Sequence, residues 1–381
     1  MSHQTTCAVH RAPTENALTG CEPKPGTSSR APQIFSDRSV SREHRVSLAW
    51  LLLSLMIQAA SVVALSQDAT AQQYAPLPTP LKVEQVPGHP IYYSVGNPNI
   101  PGTANEGNTS NAGFVVTPDG VVVFDALGTP SLGWALLQAI RKITDKPVRY
   151  NLVSHYHADH IYGLQAFRDH TATVIIAQDR AREYEENEQT ADERADQRLA
   201  QRRQALAPWV NKDTRVVPPD ITFNDRLTLT LGGKQFQTIY AGPAHSASDM
   251  MLMVEPDGVL FAGDIVQNSR IPFMNGDDVD TKQWLNALEV VEKLNPKFII
   301  PGHGQPSTAA KEAIAFTRDY IQYVRAAMRK GVENWADFDV AYQQTDWSKY
   351  AGMPAFNANN RGNAYRIFLE LEQSQLGGKK H

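Results

Sequence analysis

From Gly113 onward the apolar positions fall into short runs at the spacing of strands. In GFVVTPDGVVVFDAL, residues 113–127, two β-branched runs flank Pro118-Asp119-Gly120, which predicts a hairpin. The 3.6-residue spacing after it predicts a helix from Ser131 to Lys142. A strand at VRYNLVSH, a helix over roughly His160 to Arg168 and a strand at ATVIIA follow. The second half repeats the theme, with strands at RLTLTLGGKQFQTIYAG, DMMLMVEP, VLFAGD and KFIIPGHG, and helices over Thr281 to Leu294 and Thr308 to about Lys330. Two strand-rich halves, each followed by helices, predict an α/β chain of stacked sheets covered by helices.

The flanks read differently. Residues 72–112 are rich in Pro, Gly and Asn and predict a loop-rich approach with a short strand near Ile91 to Val95. Residues 331–381 form a C-terminal extension whose mixed pattern predicts no element. Within the central domain, 113–330, the segment 179–206 is charged throughout, acidic at its start and basic at its end, as a solvated helix favours. It reads as an exposed insertion or as a lid.

The N-terminal 71 residues form a leader. Val46 to Leu65 carries no charge, follows Arg42 and Arg45, and precedes Ala69-Thr70-Ala71, the order of a secretory signal cut after Ala71. That predicts an exported, periplasmic protein. A retained membrane anchor is the alternative, since about 20 apolar residues span a bilayer; Ser54, Gln58 and Ser61 weaken it. Removing 1–71 takes away Cys7 and Cys21, so the remainder has no thiol for a disulfide, a nucleophile or a metal. It also leaves 30 basic against 35 acidic residues, which gives no footprint for nucleic acid and points to a small-molecule partner. The chemistry then falls to His, Asp and hydroxyls.

These concentrate in VSHYHADHIYG, residues 153–163. In extended chain His155 and His157 point to one side, and Asp159 and His160 open the next helix and turn back toward it. His245 in AGPAHSASD, Asp264 in LFAGDIV and His303 in IIPGHGQ each follow an apolar run beside a Gly, where a strand ends and sites are built. His89 and His170 lack that context.

In this order and with these gaps, His-x-His-x-Asp-His, a later His, Gly-Asp and Pro-Gly-His-Gly resemble the metallo-β-lactamase superfamily over roughly Gly113 to Gln305. The resemblance implies an αββα sandwich with a binuclear metal site at one edge. It implies one metal on His155, His157 and His245, a second on Asp159, His160 and His303, and Asp264 bridging both. Imidazole and carboxylate suit zinc, two ions per chain, with iron or manganese as other occupants. Two metals about 3.5 to 4 Å apart share a water and make hydroxide available, with Asp159 orienting it.

β-Lactamases of this superfamily mostly carry Cys or Ser at the position of Asp264, and the Cys type has Lys where this chain has Gln267. An Asp there resembles thioesterases, lactonases and phosphodiesterases of the glyoxalase II kind. The stretch from Phe261 to Gly304 resembles exported zinc hydrolases of the SoxH-like, quinoprotein relay group, although Ser246-Ala247-Ser248-Asp249 replaces the usual Thr-x-Gly turn. The expectation is an exported zinc hydrolase of a small ester, thioester, lactone or amide-like bond. β-Lactam hydrolysis and an iron-dependent, persulfide dioxygenase-like oxidation are the alternatives. Arg270 and Asn268 are the candidate substrate contacts, with Tyr156, Tyr162, Phe273 and Trp284 as candidate walls; pairing of Arg270 with an acid such as Asp277 competes with the first of these.

Overall fold

The computed structural model describes residues 74–184, 191–276 and 278–377; the leader and Asp277 lie outside them. Among the described residues the chain builds two mixed sheets. The first has seven strands in chain order: β1 (Glu84–Gln85), β2 (Ile91–Ser94), β3 (Ala112–Thr117), β4 (Gly120–Phe124), β5 (Val148–Leu152), β6 (Val174–Gln178) and β7 (Ile221–Phe223). The second runs β12 (Phe298–Gly304), β11 (Val259–Asn268), β10 (Met250–Glu255), β9 (Lys234–Tyr240) and β8 (Arg226–Leu231).

The two-residue period sorts side chains into layers. In β4, Val122 and Phe124 face the second sheet while Val121 and Val123 face the outer helices. In β10, Met250, Leu252 and Val254 meet the first sheet while Met251 and Met253 turn outward. The outer faces are covered by α1 (Pro130–Ile143), α2 (Ala158–Ile161) and α3 (Leu164–His170) on one side. After the helical insertion α4 (Ala191–Ala205), the other side is covered by α5 (Thr281–Leu294), α6 (Ala310–Glu333), α7 (Phe338–Gln343) and α8 (Phe356–Gly377). Apolar faces buried on both sides of each sheet make the αββα sandwich.

The caps agree with the sequence. Thr129 Oγ1 accepts from Leu132 N at 3.1 Å and Pro130 opens α1. Asp280 accepts from Lys282 N and Gln283 N, and Asn295 in the left-handed region closes α5.

Two expectations are corrected. The helix expected over His160 to Arg168 is broken into α2 and α3. Gly163 donates to Leu127 O at 3.0 Å, and a Cβ there would lie 1.8 Å from Ala126 O, so the chain kinks to pass the end of β4. The extension after Gly331 is helical, with α8 running 22 residues. Its buried face includes Asn359, Asn360 and Asn363, so no apolar stripe announced it.

Candidate metal centre

The segment after β5, the loop between β9 and β10, and the ends of β11 and β12 meet at one edge of the sandwich. Asp264 and His303 lie inside their strands: Asp264 falls within the slip of the β11–β12 register between Gly263 and Gln267, and His303 pairs with Gln267 where the register resumes. The slip re-aims Asp264 out of the regular pleat. Gly302 lets the strands close there, since a Cβ on it would sit 2.0 Å from Asp264 Oδ1.

Three groups of ligand atoms form: His155, His157 and His245; His155, His160 and Asp264; and Asp159, His160 and His303, each within 4.8 Å. His157 Nδ1 is 3.0 Å from His155 Nε2 and 2.7 Å from His245 Nε2. Asp264 Oδ2 lies 3.2 Å from His245 Nε2, 3.2 Å from His303 Nε2 and 4.0 Å from His155 Nε2, while Oδ1 is 3.3 Å from His160 Nε2. Asp159 Oδ2 is 3.4 Å from His303 Nε2 and 3.9 Å from His160 Nε2. Asp264 thus stands between a three-histidine group and an Asp-His-His group.

These residues fit a metal. Ligand atoms about 2.1 Å from one tetrahedral ion lie roughly 3.4 Å from each other, in the middle of the observed separations. His160 Nε2 and Asp264 Oδ1 are buried without a hydrogen-bond partner, a costly state for two polar atoms unless a cation satisfies them.

The far ring nitrogens are held in place. His160 Nδ1 meets Asp125 Oδ2 at 2.8 Å, His303 Nδ1 meets Thr109 O at 2.6 Å, and His245 Nδ1 meets Phe273 O at 2.9 Å. His155 Nδ1 meets Ser154 Oγ at 2.9 Å, and that hydroxyl donates to Asp125 Oδ2. These partners fix each ring and its tautomer.

Asp125 is the functional residue that the sequence reading missed. It is fully buried, adopts φ +60° and organises both Ser154 and His160. Its signal was the one used for Asp264, an acid directly after an apolar strand.

The electrostatics suit cation binding. Burial, with neighbouring imidazoles, depresses the protonation of His155 far below normal and that of His157 to about 3, and His245 is lowered for the same reasons. Burial works against ionisation of Asp264, yet the imidazoles of His303, His160 and His245 hold it well below the usual carboxylate range; Asp159 behaves likewise. Burial also opposes charge on His160 and His303, but the surrounding carboxylates raise both.

The cluster forms the floor of a cavity of about 650 Å³. Its walls include Phe273, Ile100, Pro101, Asn359, Arg270 and, from α4, Arg198 and Arg202. Arg270 is buried, donates to Pro98 O and Gln267 Oε1, and forms no ion pair among the described residues. Asn268 does not line the cavity; its amide donates to Gln305 O at 2.7 Å. Trp284 and Tyr162 are fully buried and form no wall, and Tyr156 lies beside the cavity, bonded to Asp278. His89 pairs with Asp257, and neither it nor His170 joins a ligand group.

The family model of the metallo-beta-lactamase superfamily matches residues 106–303, from the loop before β3 to the last histidine. The chain belongs to the metallo-β-lactamase superfamily. Within that superfamily it is 24% identical over 55% of its length to the linear primary-alkylsulfatase of Pseudomonas sp. (strain ATCC 19151), covering 45% of that protein. It is 25% identical over 31% of its length to the metallo-beta-lactamase type 2 of Bacteroides fragilis, covering 48%. The chain therefore spans a little under half the length of these two relatives. A metallo-beta-lactamase from Pontibacter korlensis superposes with a TM-score of 0.48 at 18% identity, covering 64% of this chain and 99% of that one. As a superfamily member, the chain has a hydrolase-like framework with His and Asp groups that could hold metal.

Proposed function

We propose that the chain is an exported hydrolase of the SoxH-like kind that holds two zinc ions and cleaves a small ester, thioester, lactone or amide-like bond. The observation that carries this reading is the placement of Asp264 between two sets of three ligands in the floor of an organic-sized cavity. His155, His157 and His245 would hold one ion, Asp159, His160 and His303 the other, and Asp264 both. Bound zinc supplies Lewis acidity, which polarises a substrate oxygen and lowers the pKa of water toward about 7.

The chain's own groups do the rest. Asp159 has 18% of its side chain exposed and a hydroxyl contact from Thr109 at 3.4 Å, so its Oδ2 can accept a hydrogen bond from the attacking water and orient it. Asp125 and Ser154 keep His160 and His155 aimed at the centre. Gln267 has no head group to spare for a substrate carboxylate: its Nε2 donates to Asp264 Oδ2 at 3.2 Å and its Oε1 accepts from Arg270 Nη1 at 3.0 Å. That supports an ester-type bond over a β-lactam.

Export rests on the pattern of residues 46–71. No helix among the described residues is long and apolar enough to cross a membrane. Cell fractionation and the N-terminal sequence of the purified protein test it.

The test of the chemistry is metal content together with turnover of chromogenic ester, thioester, lactone, sulfate ester and β-lactam substrates, with and without chelator. The alkylsulfatase likeness puts the sulfate ester in the set. Two zincs and chelator-sensitive turnover of an ester-type bond support the reading. One iron per chain with no turnover sinks it and favours oxidation.

A further inference from the structure

A chain of buried side chains runs from the centre to the cavity wall. Asp264, Gln267 and Arg270 are 3%, 0% and 4% exposed. Gln267 Nε2 donates to Asp264 Oδ2 at 3.2 Å, and Gln267 Oε1 accepts from Arg270 Nη1 at 3.0 Å. Arg270 Nε donates to Pro98 O at 2.9 Å, two residues before Ile100 in the wall. Gln267 is also pinned through its backbone, in a stretch of β11 that no longer pairs with β10. Its N donates to Thr317 Oγ1 at 3.0 Å, and that hydroxyl, fully buried on α6, donates back to Gln267 O at 2.8 Å. One side chain thereby supplies both bonds that a neighbouring strand would have made.

The chemistry of the three groups leaves the amide one orientation. A guanidinium only donates and an ionised carboxylate only accepts, whereas a primary amide donates from one branch and accepts on the other. Turned over, Gln267 would set its amino group against the Arg270 guanidinium and its carbonyl against Asp264. Arg270 therefore decides which branch of Gln267 faces the carboxylate, and the Pro98 carbonyl holds Arg270 to that aim. The result is a carboxylate with unequal oxygens. Asp264 Oδ2 carries the bond from Gln267, while Oδ1 is buried without a hydrogen-bond partner, 3.3 Å from His160 Nε2. A bond to one oxygen opposes rotation of the carboxylate and so fixes what each oxygen meets.

We propose that Gln267 is the positioning residue of Asp264 and that Arg270 acts through it, the pair fixing how the central carboxylate faces the ions. This rests on the metal-centre reading above, but not on which bond is cut. A serial arrangement has a signature of its own: once Gln267 is gone, Arg270 has nothing left to transmit, so the two losses do not add.

The test uses the full protein and compares wild type with Q267M, R270M, R270K and the double variant Q267M/R270M. Zinc affinity is measured by competition with a chromogenic chelator, and the ligand field by the electronic spectrum of the cobalt(II)-loaded protein. Methionine keeps the length of Gln267 and removes both of its hydrogen bonds. The expected result is that Q267M and R270M each lower zinc affinity by roughly 10–100-fold and shift the cobalt bands. The double variant should match Q267M within about twofold, and R270K should retain part of what R270M loses. Where R270M does not fold by circular dichroism, R270K takes its place in the double variant. Wild-type zinc affinity and cobalt bands in a folded Q267M, or losses that multiply in the double variant, overturn the proposal. Failure of the hydrolase reading alone would show as no ester turnover by a wild-type protein whose metal binding follows the expected pattern.

Discussion

The two walls of the cavity are built by opposite means. The wall at residues 271–279 is tied from behind by buried polar groups of α8. Asn363 accepts from Met274 N at 2.8 Å and donates to Pro272 O at 2.7 Å, Asn359 donates to Ile271 O, and Arg366 reaches Gly276 O and Val279 O. That wall also carries the Phe273 carbonyl that orients His245. The α4 wall stands on Leu199 and Leu206, with its polar stripe toward the cavity. One wall is thus tied by hydrogen bonds to α8 and to His245 of the floor, whereas the other is seated by apolar packing of two leucines.

The floor itself sets the upper bound for any variant. His157→Ala should cost more than about 100-fold in metal affinity, since loss of an outer partner alone is worth roughly 10–100-fold. His89→Ala, whose ring pairs with Asp257, should leave metal content unchanged. Elemental analysis of both proteins checks this, and equal losses would end the site assignment.

Next is the coupled wall. Asn363→Ala orphans Met274 N and Pro272 O in a buried setting, so it should destabilise the fold by about 2–4 kcal/mol and also weaken metal retention through Phe273 and His245. Denaturant unfolding with a parallel metal titration reads both. A stability loss with metal affinity intact would break the link between α8 and the floor.

The uncoupled wall should answer the other way. Leu199→Ala removes a seat of α4 and should cost about 2 kcal/mol while raising KM and leaving metal content at the wild-type level. Loss of metal in this variant would mean that the two walls are not independent.

The smallest effect lies away from both walls. Asp257, in the turn between β10 and β11, bonds Lys234 and His89; burial opposes its ionisation, but those two partners lower its pKa. A depressed carboxyl stabilises the fold above its unfolded pKa of about 3.9, and that contribution fades as pH falls through the folded value. Asp257→Asn should therefore be less stable by about 1 kcal/mol above pH 5, with the difference closing below about pH 4. Thermal melts of both proteins across that range measure it.

The residues that gather at the floor of the cavity were legible because each carries a local signature. His155, His157, His245, Asp264 and His303 all follow apolar runs; the first three lie past strand ends, as expected, whereas Asp264 and His303 lie inside β11 and β12 beside the register slip. Asp125 carried the same mark but had no partner nearby in sequence; His160 lies 35 residues away. Asn268 illustrates the reverse error, since nearness to Asp264 along the chain placed it beside the cavity, yet its amide turns to Gln305 O.

What the sequence by itself determined is most of the strands and helices between Gly113 and Lys330, their two faces and the residue types of the candidate centre, because burial at periods of 2 and 3.6 residues is a local constraint. Tertiary structure alone decided that the asparagines of α8 brace a wall 89–91 residues away, and which α4 arginines face the floor. A buried amide gains its worth from a partner that only folding brings within 3 Å, and neither composition nor period records which partner that will be.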